Sequence, residues 1–302
     1  ITSLSLNVHN SSNTRKSLDG ARLQLIHGAF ALEAMDARPV IVRLNAPNRA
    51  DSTTRFRTMS IGSAPGAAPL ARGLPAIWQA YWYEQTIQTA TTATRRLTTG
   101  GRTQWQWALP GARIASLEFE GAVQRGHTGT QSLHAWFWVT EAQLQWKRLR
   151  GAPTLAIGLE EASGDRPDTP TRIETFAVLY PGAHQHGGYA DVLGRANARE
   201  WHVISTWDPT SALSLRAAAY RFDRVRTDDG VYTKQTTVFR SASGSSALHA
   251  DDEVDLTGTW KFARQWRLVF GGAVVSPGAF LTSTPGSAHT ERWAFAGTTF
   301  IF

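Results

Sequence analysis

Two absences narrow the class of this 302-residue chain: it has no cysteine, and none of its apolar runs approaches the ~20 residues of a membrane-spanning helix. The first absence excludes disulfide scaffolds, thiolate metal sites and cysteine nucleophiles. The second excludes a helical membrane protein. A strand that crosses a bilayer is apolar on one face only, so a hydrophobic share of 42% and a mean hydropathy of -0.27 fit a membrane barrel and a soluble protein equally well.

Lysine is also scarce, since only four of the 31 basic residues are lysine and the rest are arginine. The net charge of +7 would suit a nucleic-acid partner, but the arginines are scattered and form no basic tract, so none is expected. Arginine holds carboxylates and phosphates in a bidentate fashion, which favours a surface or tunnel that meets acidic sugars or lipopolysaccharide phosphates. Ordinary solvated charge on strand faces is the alternative interpretation.

Catalytic motifs are missing as well. The sequence contains no G-x-S-x-G, H-E-x-x-H or phosphate-loop pattern. Glu160 and Glu161 are adjacent acids, but neighbours on a strand point to opposite faces, so they are poorly placed as a glycosidase pair. The sequence therefore predicts no catalytic residues, no cofactor and no enzyme activity.

The chain does contain a clear period-two alternation. In the stretch 252–262, Val254 and Leu256 share one face while Glu253 and Asp255 share the other. The same two-faced pattern predicts fourteen strands, which are Leu4–Val8, Asp19–His27, Phe30–Arg38, Ser52–Gly62, Pro75–Thr89, Thr99–Trp107, Arg113–Gly126, His134–Trp146, Thr154–Ala162, Arg199–Trp207, Ala212–Arg224, Asp252–Phe262, Gln265–Val275 and Glu291–Phe302.

The connections between these strands alternate in length. Short turns such as 108–112 alternate with long polar loops such as 164–198 and 225–250, and 64–74 is an exception. With Trp and Phe near strand ends and an aromatic last residue, Phe302, the pattern predicts an all-β fold: a transmembrane, antiparallel, up-and-down barrel of about 14 strands in one domain, 1–302. The alternative is a soluble, secreted carbohydrate-binding β-sandwich, whose strands also alternate.

Several segments resemble, in order and spacing, the outer-membrane alginate-export barrel family. They are 10–23 (NSSNTRKSLDGARL), 29–40 (AFALEAMDARPV), 161–165 (EASGD), 175–197 (TFAVLYPGAHQHGGYADVLGRAN), 253–257 and 276–281, followed by the terminal aromatic strand. The resemblance implies an outer-membrane barrel of about 18 strands with an arginine-lined lumen. It implies export or passive diffusion of an anionic polysaccharide such as alginate, or of smaller acidic solutes. It also implies contact with outer-membrane lipid and lipopolysaccharide, periplasmic export partners, and strands before residue 1 that this chain lacks, so we expect an N-terminally truncated barrel.

The polar strand face is expected to line the lumen of such a barrel. The candidates for pore lining or substrate contact are Arg22, Arg102, Arg216, Lys261, Arg267, Glu118, Glu120, Glu141, Glu253 and Asp255. Acids are as plentiful as bases, so these residues allow either a basic conduit or paired Arg and Glu that hold the lumen rigid.

The segment 180–197 is a candidate constriction loop, because barrel loops often fold inwards. Its candidate residues are His184, His186, Asp191, Arg195 and Asn197. His184, His186 and Asp191 carry metal-ligating groups, but their spacing matches no recognised site, so no metal is predicted.

Overall fold

The structure is a computed structural model that describes residues 17–71, 73–180 and 187–301. Its strands are β1 (Leu18–His27), β2 (Phe30–Ile41), β3 (Arg49–Ala50), β4 (Thr54–Ser63), β5 (Ile77–Gln88), β6 (Ala93–Leu109), β7 (Arg113–Thr128), β8 (Gln131–Trp146), β9 (Thr154–Ala162), β10 (Arg172–Ile173), β11 (Ala198–Thr210), β12 (Leu213–Arg224), β13 (Val231–Tyr232), β14 (Val238–Arg240), β15 (His249–Ala263), β16 (Trp266–Pro277) and β17 (Glu291–Phe300). A helix, α1 (Ala279–Ser283), precedes β17. No helix in the described part of the chain is both long and apolar enough to cross a membrane.

Thirteen strands form one antiparallel sheet in which each strand pairs with the long strand before it and the one after it. The order is β1-β2-β4-β5-β6-β7-β8-β9-β11-β12-β15-β16-β17, so β1 and β17 are its two ends in the described residues. The short strands β3 and β10 pair beside β2 and β8, and β13 pairs with β14 in a separate hairpin. A single up-and-down sheet is the wall of a membrane barrel and differs from the two packed sheets of the sandwich alternative.

Thirteen of the fourteen predicted strands are confirmed, and Leu4–Val8 lies outside the described residues. Some strand ends were wrong: β6 begins at Ala93 rather than at Thr99, and β7 continues to Thr128. The connections 89–92 and 129–130 are therefore tight turns on the side where long loops were expected. The backbone ladder continues here through polar residues, with Thr94 opposite Thr128 and Arg95 opposite His127, past the apolar band where the period-two apolar signal stops.

The two faces of the sheet differ sharply in exposure and polarity. On β15, Val254 and Leu256 are 58% and 63% exposed, whereas Glu253 and Asp255 are 2% and 1% exposed. We call the face with exposed apolar side chains the outer face and the opposite one the inner face. The outer face carries Leu23, Leu25, Leu32, Met59, Ile61, Leu117, Val123, Ile157, Val203, Val254, Leu256 and Val274. An outer face of exposed apolar side chains is stable in contact with lipid rather than with water.

Aromatic side chains gather at the short-turn end of the outer face. Trp260 and Phe262 have ring centroids 5.5 Å apart, Phe262 lies 6.2 Å from Trp266, and Trp266 lies 5.0 Å from Phe300. This row matches the predicted belt, because amphipathic rings favour the level of the lipid headgroups. Trp293 departs from it: the register places Trp293 opposite Ala273 on the inner face.

Candidate functional site: the inner wall and its inserted loop

We call the connection between β9 and β11, residues 163–197, the inserted loop, because its described residues 176–180 and 187–197 fold onto the inner face. Its first half packs through aromatic rings, with Tyr180 4.8 Å from Phe56 and Phe176 5.2 Å from Phe137, measured between centroids. All four side chains are buried. Burial raises the pKa of Tyr180 to about 12, so its phenol is neutral at physiological pH.

A glutamine from the strand wall fixes the backbone of this half of the loop. Gln124 is completely buried on β7, and its side chain accepts a hydrogen bond from Ala177 N at 3.0 Å. Its amide nitrogen donates to Ala177 O at 2.8 Å and to Thr98 at 3.1 Å. The two hydrogen bonds between Gln124 and the backbone of Ala177 resemble the two that paired residues of neighbouring antiparallel strands form. They therefore fix the backbone of residue 177 to β7.

The second half of the loop is held by acids of β15. Glu253 accepts the backbone N–H of Ala190 at 2.8 Å, and Asp255 accepts that of Tyr189 at 3.0 Å. Gly188 makes this approach feasible, since it has a φ of +69° and a Cβ there would lie 2.3 Å from the Glu253 carboxylate. The ring of Tyr189 stacks on Phe295 at 5.3 Å, and burial raises the pKa of Tyr189.

Two ion pairs tie the end of the loop to its surroundings. Arg195 donates to both oxygens of Glu160 on β9, at 2.7 and 2.8 Å, and the two side chains are only 14% and 3% exposed. Burial lowers the pKa of Arg195, but the Glu160 carboxylate more than offsets this effect, and the pKa is raised. Lys234, from the connection between β12 and β15, pairs with Asp191. Arg195 and Asp191 thus act as loop anchors in this structure.

Asn197 closes the loop by binding the next long connection. It is completely buried, has a φ of +49°, and donates to the backbone oxygens of Arg226 (2.9 Å) and Gly230 (2.9 Å). Its side-chain oxygen accepts Arg226 N at 2.7 Å. One side chain therefore couples the loop 163–197 to the loop 225–248, and asparagine tolerates the left-handed backbone that this requires.

The inner face also carries a row of ionisable side chains beside the inserted loop. The strand register aligns Glu118, Glu141, His202, Tyr220 and Glu253 across neighbouring strands. His202 is buried with Nδ1 2.9 Å from Glu200 and Nε2 3.1 Å from Glu141. Gly158 gives the ring its space, because a Cβ at this position would lie 2.1 Å from His202 Nε2.

The predicted basic residues of the inner face differ in whether an acidic side chain pairs with them. Arg102 makes a bidentate pair with Glu118 at 2.7 and 2.8 Å, and Tyr81 donates to Glu120 at 2.7 Å. Arg22 pairs with Glu33. Arg and Glu are thus paired on this part of the wall, which is one of the two arrangements that the sequence allowed.

Arg216, Lys261 and Arg267 lie on the inner face nearer the short turns. Arg216 contacts the hydroxyl of Tyr220 and lies 3.9 Å from Asp255. Lys261 and Arg267 are exposed and form no ion pair within the described residues.

The turns next to Lys261 and Arg267 are strongly basic. We call this end of the sheet the turn-end rim; its described basic residues are Arg113, Lys147, Arg148, Arg150, Lys261, Arg264 and Arg267. Asp208, near the end of β11, is the acid that the described residues place at this end of the sheet. The rim therefore holds a positive potential beside the inner face.

The structure thus locates eight of the ten wall candidates in the contacts described above and shows Lys261 and Arg267 at the rim. His184 and His186 lie outside the described residues. Among the residues that are described, no group of three or more His, Asp or Glu side chains forms a metal-binding arrangement. Gln124, Tyr81 and Lys234 were missed, since nothing in a single sequence shows which distant backbone or acid they meet. The pore-lining and constriction roles stay predictions.

The sheet order, the apolar outer face and the row of ionisable side chains on the inner face define an outer-membrane β-barrel of the channel type. The chain belongs to the alginate export family, whose model matches residues 3–295. Two solved structures share the fold. OccK11 (OpdR) of Pseudomonas aeruginosa is 14% identical with a TM-score of 0.57, over 97% of this chain and 73% of that one. OccK3 (OpdO) of the same organism is 15% identical with a TM-score of 0.56, over 98% and 75%. A search of curated proteins found no significant match.

Family and fold together place the protein in the outer membrane, as a channel rather than as a soluble sandwich. In barrels of this class the short turns face the periplasm and the long loops face outwards.

Proposed function

We propose that this barrel passes an anionic polysaccharide of the alginate type, or smaller acidic solutes, by passive diffusion without a cofactor and without catalysis. The observation that carries the proposal is the turn-end rim, where the described strand ends and turns hold seven bases and one acid. A positive rim raises the local concentration of anions at the channel entrance. The same rim is where a periplasmic export partner would dock.

The inner face supports the proposal through the position of its exposed bases rather than through its net charge. Lys261 and Arg267 extend the positive rim onto the inner face, and Arg216 lies above them. Further along, Arg102 is neutralised by Glu118, and the acids Glu120 and Glu253 bind Tyr81 and the loop backbone. Selection would therefore occur near the rim, where the bases are exposed.

The inserted loop would set the size limit of the channel. It covers the inner face of β7, β8 and β15 through Ala177, Phe176 and Ala190. Because the loop is fixed at several points, it would narrow the lumen by a constant amount, whereas a mobile loop would narrow it by a varying amount. Asp191, Arg195 and Asn197 would contribute by holding the constriction in place.

Reversal potentials in planar bilayers under a salt gradient test this proposal. Lys261→Gln with Arg267→Gln should shift the reversal potential towards cation preference, because two fixed exposed charges are lost. Arg102→Gln with Arg216→Gln should shift it in the same direction, since Glu118 loses its partner. The control, Arg199→Gln with Arg221→Gln, removes two outer-face charges and should leave the potential unchanged.

Unchanged potentials in both inner-face variants would refute anion selection by these residues. A wild-type channel that prefers cations would show that the acids of the wall dominate and would reject the proposed substrate class.

A further inference from the structure

A second charged site lies on the outer face at the loop end, away from the lumen. It is a pocket of about 450 Å³ between β7, β8 and the loops that follow β9 and β12. Four arginines line it, Arg125, Arg166, Arg172 and Arg226, together with one carboxylate, Glu174. Its volume falls in the ~300–1,000 Å³ range of small-molecule sites.

The charges in this pocket do not cancel. Glu174 lies 2.8 Å from Arg166 and 3.5 Å from Arg172, and Arg226 lies 3.3 Å from Asp228. Arg125 forms no ion pair with a described residue. The four guanidinium groups thus have two carboxylate partners, one of them outside the pocket lining, which leaves an excess of positive charge.

Arg125 also reaches a histidine that adds a donor. Its Nη1 lies 2.9 Å from Nδ1 of His134. Because a guanidinium can only donate, Nδ1 accepts and the ring carries its hydrogen on Nε2. The guanidinium groups and an imidazole N–H outnumber the one carboxylate of the pocket lining, and such an excess of donors is the chemistry that binds phosphate.

The position of the pocket relative to the apolar band of the outer face indicates the source of that phosphate. The register pairs Arg125 with His134, and one step below it pairs Val123 with Trp136. Val123 and Trp136 are exposed apolar residues of the outer face, and Trp136 lines the pocket. The pocket therefore begins where the apolar band ends, at the level of a tryptophan, which is where lipid headgroups lie.

We propose that this pocket binds the phosphorylated sugar headgroup of a glycolipid in the outer leaflet. A basic pocket at the membrane surface is a known means of holding an anionic headgroup, and here the lipid chains would lie against Val123 and Trp136. The proposal rests on the outer-membrane location alone and is independent of what the lumen passes.

Binding of bisphosphorylated lipid A to the full chain in detergent tests the proposal. Arg125→Gln with Arg172→Gln should weaken binding by about 25-fold, at about fivefold for each arginine near the surface. The control Arg199→Gln with Arg221→Gln removes the same charge from the outer face beyond the pocket and should change binding less than about twofold. Folding of each variant is checked by the mobility of the unboiled protein on gels.

A variant with the opposite effect guards against a general loss of structure. Glu174→Gln removes the carboxylate of the pocket and should tighten lipid A binding by about fivefold. Lipid A without its phosphates should bind as weakly to the wild type as lipid A does to the double arginine variant.

Two results would overturn the proposal. One is equal binding of lipid A with and without phosphates. The other is inorganic phosphate, or a uronate oligomer, that occupies the pocket and displaces lipid A at millimolar concentration, which would make the occupant a soluble anion.

Discussion

The buried pair of Arg195 and Glu160 gives the sharpest test of how the inserted loop is held. Replacing Arg195 with Gln leaves the Glu160 carboxylate buried and without its cation. Breaking a buried pair in this way costs ~3–5 kcal/mol, which corresponds to about a 100- to 4,000-fold weaker docking of the loop end. We expect a larger single-channel conductance and faster tryptic cleavage at the arginines of the loop.

A matched control is the neighbouring ion pair, formed by the next residue of β9 and a residue of β11. Glu161 and Arg199 pair on the outer face, where the Arg199 side chain is 40% exposed. Breaking an exposed pair costs ~0–1 kcal/mol, so Arg199→Gln should leave conductance and cleavage unchanged. The double variant Glu160→Gln with Arg195→Gln should restore part of the docking because the stranded charge is gone. Wild-type conductance and protection in Arg195→Gln would refute this account of the loop.

Three further predictions follow from the wall and the loop. Leu256→Arg should destabilise the folded barrel by ~2–4 kcal/mol and Trp260→Arg by ~0–1 kcal/mol, because Leu256 faces the middle of the membrane and Trp260 its edge; urea titration of unboiled gel mobility would show the order. Gly158→Ala should cost ~1–3 kcal/mol through collision with the His202 ring, and His202→Ala in the same chain should relieve it. Since the pKa of Tyr180 is raised from 10.0 to about 12, its contribution to loop docking is complete below about pH 10 and is lost as pH rises through about 12; Tyr180→Phe should remove this dependence in a tryptic-protection series.

The outer face and the strand order were predictable because each rests on a local signal. Val254 and Leu256 alternate with acids along one strand, and lipid requires the apolar face to be continuous. The same logic placed Glu160 and Glu161 on opposite faces, and the structure confirms this, since Glu160 binds the inserted loop and Glu161 binds Arg199.

The inner face was less predictable because a lumen wall covered by a loop need not be polar. Phe137 and Val139 are 2% and 1% exposed on the inner face of β8, where a water-filled lumen predicts polar residues. They are apolar because the inserted loop packs there through Phe176. Such contacts join residues far apart in the sequence, as do Gln124 with Ala177 and Gly158 with His202, and a single sequence does not encode which partners meet.

The most direct test of the channel is uptake into liposomes that carry the wild-type protein. Uronate oligomers and neutral oligosaccharides of equal length would be compared, so that size is matched and only charge differs. The proposed function predicts faster entry of the uronate oligomers, with the difference reduced at high salt as the field of the turn-end rim is screened. Equal rates, or faster entry of the neutral sugars, would contradict it.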